Sequence, residues 1–125
     1  MINICLHNMG TLSIVATPIG NLEDITLRAI RVLKEADAIF CEDTRVTSKL
    51  LAKYEIRGKQ LVRCDEKEEA TAGKKAIEIL EAGKKIAMVS DAGTPGISDP
   101  GARLVAFVRR ESPLLFHHSA PTASL

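Results

Sequence analysis

The sequence contains no tryptophan, one tyrosine and three phenylalanines. With 3% aromatic residues, any interior it builds must be aliphatic. Cysteine is as scarce: Cys5, Cys41 and Cys64 are odd in number, and none belongs to a CxxC pair. That pattern supports neither a disulfide framework nor a zinc site, so no metal is expected. Unpaired thiols suit a reducing, cytoplasmic compartment. No apolar run approaches the about 20 residues needed to span a bilayer, so no membrane partner is expected. There is no excess of one charge either: 17 Lys and Arg against 16 Asp and Glu leave a net +1. A strongly basic nucleic-acid-binding domain would carry more. Two phosphate-binding signatures, GxGxxG and GxxxxGK[ST], are also missing.

What remains describes one layered domain. The chain has 125 residues, 46% hydrophobic and 26% charged, enough to bury a single core without disulfides. Residues 1–9, MINICLHNM, read as a leader extension. They are too short and too poor in basic residues for a signal peptide, and Met9 is an alternative start.

Short apolar runs then alternate with helical periodicity. Residues 11–16 (TLSIVA), 38–41, 60–64 and 85–90 read as strands. Between the first two, Ile25, Ala29, Val32, Leu33 and Ala36 share one helix face, with Asp24 at the N-cap position. Asp43 or Thr44 caps a second helix that buries Val46, Leu50, Leu51 and Tyr54. A third helix spans residues 67–80, with Ala76, Ile79 and Leu80 inward and Gly83 as its stop. A fourth starts at Asp99-Pro100, runs to about Arg110 and buries Leu104, Phe107 and Val108. Residues 113–116 form a possible fifth strand. This order implies an α/β fold: a mostly parallel sheet with helices on both faces. Ligands of such sheets bind beyond the carboxyl ends of the strands.

Three segments gather at that edge. ATPIGNLEDIT follows the first strand; Pro18 fixes its backbone and Gly20 permits close approach. A plain turn and helix cap explains it as well. CEDTRVTSKLL brings Glu42, Asp43 and Arg45 to the end of the second strand. Carboxylates beside an arginine can orient a polar substrate or accept a proton, or simply cap a helix. SDAGTPGISDPG is long for a strand-to-helix loop, which usually takes about 2–6 residues. Its small residues offer backbone N–H and C=O groups to a ligand, and it holds no lysine for a phosphate. That suits a zwitterionic ligand such as an adenosyl-amino-acid better than a triphosphate; an elaborate turn is the simpler alternative. The acidic run 65–69 is a solvated face or helix start, and His117 and His118, adjacent, make a poor metal pair.

In order and spacing, VATPIGNLEDITLRAIRVLKEAD, CEDTRVTSKLL and VSDAGTPGISDPGARLV together resemble the tetrapyrrole-methylase-like, class III S-adenosylmethionine-dependent methyltransferases, and among them the small-subunit ribosomal RNA enzymes. The resemblance implies the N-terminal half of a two-domain fold, covering residues 10–110, with the second domain absent and residues 111–125 a divergent tail. It implies 2′-O-methylation of a cytidine ribose in small-subunit (16S) rRNA, with S-adenosyl-L-methionine as cofactor and usually a homodimer. It assigns Pro18, Gly20, Asp91, Ala92, Gly93, Thr94, Ile97 and Ser98 to the cofactor. Glu42 and Asp43 become candidate proton acceptors, and Arg28, Arg45 and Lys49 candidate contacts to rRNA or the 30S subunit. A tetrapyrrole or other small-molecule methylase, and a non-catalytic remnant of the rRNA enzyme, are the alternatives. Half of a cofactor cleft, taken alone, is expected to be inactive.

Overall fold

The computed structural model describes residues 2–5, 10–17, 22–91 and 100–112. In chain order the elements are β1 (Ile2–Cys5), β2 (Thr11–Thr17), α1 (Leu27–Glu35), β3 (Ala38–Cys41), α2 (Thr44–Lys53), β4 (Gln60–Arg63), α3 (Glu69–Glu81), β5 (Lys85–Asp91) and α4 (Pro100–Glu111). The strands form one sheet in the order β1-β2-β5-β3-β4. β2, β5, β3 and β4 run parallel. β1 is antiparallel to β2, with Ile2 opposite Ile14 and Cys5 opposite Thr11. Part of the stretch expected to be a leader is thus an edge strand. The expected fifth strand at 113–116 lies outside the described residues.

A parallel sheet must be covered on both faces, and alternating side chains build the two halves of this core. On one face Leu12, Phe40, Val62, Ile86 and Met88 meet Ala72, Ala76 and Leu80 of α3 and Leu104 and Val108 of α4. On the other, Val15, Ile39, Ala87 and Val89 meet Ala29 and Leu33 of α1 and Leu50 and Leu51 of α2. Each fully buried Leu- or Ile-sized side chain contributes about 1.5–3 kcal/mol. The helices therefore sit in pairs, α1 and α2 on one face, α3 and α4 on the other.

Local chemistry sets the helix ends, and it moves three of the expected features. The N-cap of α1 is Thr26, whose side chain accepts from Ala29 N–H at 3.0 Å, and not Asp24. Leu22–Asp24 form a separate 3₁₀ turn, which delays the helix. At the other end Lys59 Nζ donates to the carbonyls of Lys34 and Ala36, a cation on the negative pole of α1. Asp43 caps α2 as expected. The inward arc of α2, however, centres on Thr47, which is buried, while Val46 is 51% exposed. Val46 lies about a quarter-turn from the centre of the arc shared by Thr47, Leu50, Leu51 and Tyr54. The Thr47 hydroxyl is bonded to the Cys41 thiol, so its burial leaves no unmet polar group. α3 begins at Glu69, two residues later than its periodicity implied, because Asp65 first caps a 3₁₀ turn at Glu66–Glu68 by accepting from Glu68 N–H at 3.0 Å. Gly83 ends the α3 region with φ +79°, a conformation glycine adopts freely.

α3 and α4 meet at Gly73. A Cβ there would collide with Cδ1 of Phe107, so the Phe107 ring packs onto α3 only because the residue is glycine. Replacing Gly73 by Ala gains about 1 kcal/mol of helix propensity. The overpacking it forces costs typically 1–3 kcal/mol and is expected to win. Gly73→Ala should lower the urea midpoint with an unchanged denaturant slope.

Candidate active-site edge

All four parallel strands end at one edge of the sheet. There β2 and β5 stay in register to their last residues, with Thr17 opposite Asp91. Thr17 is buried, and its Oγ1 donates to the carbonyl of Ser90 at 3.2 Å, tying the two strand ends together. The segments 18–21 and 92–99 therefore leave the sheet from adjacent strands. Pro18, Gly20, Ala92, Gly93, Thr94, Ile97 and Ser98 lie outside the described residues; Asp91 is the last residue of β5. α4 then starts close against β2: a Cβ on Gly101 would stand 3.2 Å from both Cδ1 and Cγ2 of Ile14. β5 thus ends at Asp91, and the start of α4 packs against β2. β2 leads to α1 on one face and β5 to α4 on the other, and it is at such a divergence that parallel α/β sheets hold their ligands.

The end of β3 supplies the next wall. Asp43 Oδ1 accepts from Arg45 N–H at 2.9 Å and lies 3.6 Å from Arg45 Nε. The backbone hydrogen bond from Arg45 is the main reason its carboxyl is held below the ordinary value of 3.8. A carboxylate stabilised in this way is a weak proton acceptor. Glu42 is not used as a cap. Its Oε2 lies 4.0 Å from Nη2 of Arg103, whose Nε is 3.9 Å from Oε2 of Glu69. The Arg103 side chain is only 19% exposed, and it spans from the end of β3 to the start of α3. Arg63, at the end of β4, pairs with Asp65 at 2.8 Å.

Arg103 was not among the residues expected from sequence. A signal for it exists: after Pro100, Gly101 and Ala102, it is the first long side chain of α4, one turn from the loop. Of the expected cations, Arg28 and Arg45 stand exposed in the first turns of α1 and α2, and Lys49 one turn further along α2. Both described thiols are buried, which disfavours the nucleophilic thiolate. Burial pushes Cys41 up, against the Thr47 hydrogen bond, and pushes Cys64 up to about 11, assisted by the Glu69 charge. Among the described residues no group of three or more His, Cys, Asp or Glu could hold a metal ion, and no helix is long and apolar enough to cross a membrane.

Comparison with known proteins agrees with this architecture. Residues 11–115 match the family described as Tetrapyrrole (Corrin/Porphyrin) Methylases. The chain is 58% identical over 102 residues to the protein named ribosomal RNA small subunit methyltransferase I in Halalkalibacterium halodurans, covering 82% of this chain and 35% of that protein. It is 57% identical over 98 residues to the protein of the same name in Bacillus subtilis, covering 78% and 33%. For the Thermotoga maritima protein of that name the figures are 53% over 103 residues, 82% and 46%. The chain thus spans between a third and a half of the length of these curated relatives.

Two measurements test the electrostatics of the edge. The folded Asp43 carboxyl titrates below its ordinary value, so the stability it adds is present above 3.8 and is lost as pH falls through the lowered pKa. Asn caps without a charge, so thermal melts should show wild type ahead of Asp43→Asn near pH 7, with the difference closing only below 3.8. For Arg103, a double-mutant cycle with Arg103→Ala and Glu69→Gln should give a coupling of about 0.5–1 kcal/mol, the range for a pair still reached by solvent.

Proposed function

The chain belongs to the tetrapyrrole (corrin/porphyrin) methylase family, and from that premise we propose that it supplies one wall of an S-adenosylmethionine site in an enzyme that 2′-O-methylates a cytidine ribose of small-subunit rRNA. The observation that carries this reading is the register of Thr17 against Asp91. It starts the segment that contains Pro18 and Gly20 and the segment that contains Ala92, Gly93, Thr94, Ile97 and Ser98 from neighbouring strand ends, which supports a shared role for them. The rRNA substrate follows the names of the relatives that are 53–58% identical to this chain.

The side chains at the edge fit such a cofactor. The carboxylates of Glu42, Asp43, Asp65 and Glu69 interleave with the guanidinium groups of Arg45, Arg63 and Arg103, leaving a slight negative excess. That balance favours a cationic sulfonium and disfavours a polyphosphate. When bound, S-adenosylmethionine supplies an electrophilic methyl group. The chain's own part in the chemistry is alignment and proton transfer. Misplacement of the acceptor by about 1 Å can cost ~100-fold in rate, so the loop and the strand ends must hold the ribose and the cofactor together. Glu42 is the proton acceptor in this reading, taking the ribose hydroxyl proton directly or through water. Asp43 serves as the cap that sets α2, and Arg103 holds the Glu42 carboxylate at the edge. Catalysis is proposed for the protein that unites this unit with the rest of its relatives' length, acting in the cytoplasm as a homodimer. One wall alone leaves the cofactor open to water, and the isolated unit is expected to be inactive.

The test is calorimetric titration of S-adenosylmethionine into this chain joined to the remaining part of the Thermotoga maritima relative. Binding is expected, and Gly93→Val should weaken it about tenfold or more, because a branched side chain takes space the cofactor needs. The melting temperature should not change. A folded variant with undiminished affinity would remove the loop from the site.

A further inference from the structure

The charges of this chain are balanced overall but divided unequally between the two faces of the sheet. α1 and α2 lie on one face. Together they carry six cationic residues, Arg28, Arg31, Lys34, Arg45, Lys49 and Lys53, and a single acid, Glu35. α3 and α4, on the opposite face, carry Lys74, Lys75, Arg103, Arg109 and Arg110 against Glu69, Glu78, Glu81 and Glu111, close to balance. The net +1 of the whole sequence conceals this division.

On α2 the cations recur at i, i+4 and i+8, so Arg45, Lys49 and Lys53 line one exposed stripe within about 80° of arc. The exposed residues between them, Ser48 and Ala52, are too small to shield the charges. Lys53 Nζ lies 3.7 Å from Oε1 of Glu23, which lays the far end of this stripe beside the turn that leads into α1 and Arg28. Arg45 is paired with Asp43 at 3.6 Å, at the strand edge. Among the described residues no carboxylate lies within 4.0 Å of Arg28, Arg31 or Lys49. Cations left without carboxylate partners on one face, and flanked by small side chains, suit a polyanion with regularly spaced charges.

We infer that the outer face of α1 and α2 is a docking surface for the phosphodiester backbone of RNA, and that it steers the strand toward the edge where Glu42 stands. The inference rests on the rRNA reading above and extends it from residues at the edge to a whole helical face. Contacts of this type fix register and orientation without reading sequence. Base choice then belongs to the edge, and the helical face supplies affinity that depends on salt.

The experiment is fluorescence anisotropy with a labelled hairpin of small-subunit rRNA, titrated with this chain from about 50 to about 200 mM salt. Three proteins are compared: wild type, Arg28→Ala/Lys49→Ala on the proposed face, and Lys74→Ala/Lys75→Ala on the opposite one. All four side chains are exposed, and thermal melts of each protein verify that folding is retained. The first pair is expected to weaken binding about tenfold at the lower salt and to reduce the slope of log K against log salt by about 2. The second pair should match wild type. If RNA binds but the two pairs lose affinity equally, or only the α3 pair does, the docking face is wrong and the methyltransferase reading stands. If wild type binds no RNA while the cofactor titration succeeds, the rRNA substrate falls together with this surface.

Discussion

The register between β2 and β5 is the constraint on which the rest of this structure depends. β5 is flanked by β2 on one side and β3 on the other. Its side chains alternate between the two cores, Ile86 and Met88 to one, Ala87 and Val89 to the other. A slip of one residue would exchange these sets, sending each into the core shaped for the other. The same register brings Thr17 opposite Asp91, so the two loops that follow must start side by side. Core and candidate site are therefore set by one pairing.

Around that pairing, polar groups are used twice. Asp43 closes the N-terminus of α2 and thereby carries a stabilised carboxylate at the strand edge. Thr17 satisfies a buried hydroxyl and ties the last turns of two strands. Arg103 connects α4 to Glu42 and Glu69, so three elements converging on the edge share a single guanidinium group. Glycine acts where a neighbouring side chain packs against a helix backbone: Phe107 of α4 lies on Gly73 of α3, and Ile14 of β2 lies on Gly101 of α4. These contacts give the edge a rigid frame, as a site that must align two reactants requires.

Much of this was legible in the sequence, and the exceptions have physical causes. The strands at 11–16, 38–41, 60–64 and 85–90 were readable from short aliphatic runs between turn residues, and all four exist within one residue at each end. Leu33, Ile39, Leu51, Leu80, Met88, Val89 and Leu104 belong to the buried core, as their periodicity implied. Ile79, read the same way, is only partly buried and packs on its margin. Thr47 was missed because a hydroxyl scores against burial unless its partner is known, and that partner, Cys41, lies on another element. The strand at Ile2–Cys5 was missed because it is only four residues long and was read as part of a leader; its pairing partner is the edge of β2.

The sequence by itself determined the α/β alternation, the Asp43 cap of α2, and the three turn-rich segments whose spacing carries the family. These are local properties, encoded in residues within a few positions of one another. Strand order was decided only in three dimensions. So was the sorting of helices into a cation-rich pair and an opposing pair, and so was the convergence of Glu42, Glu69 and Arg103. Those features arise from contacts between residues far apart along the chain. They appear only when burying two faces of one sheet forces distant segments to a common edge.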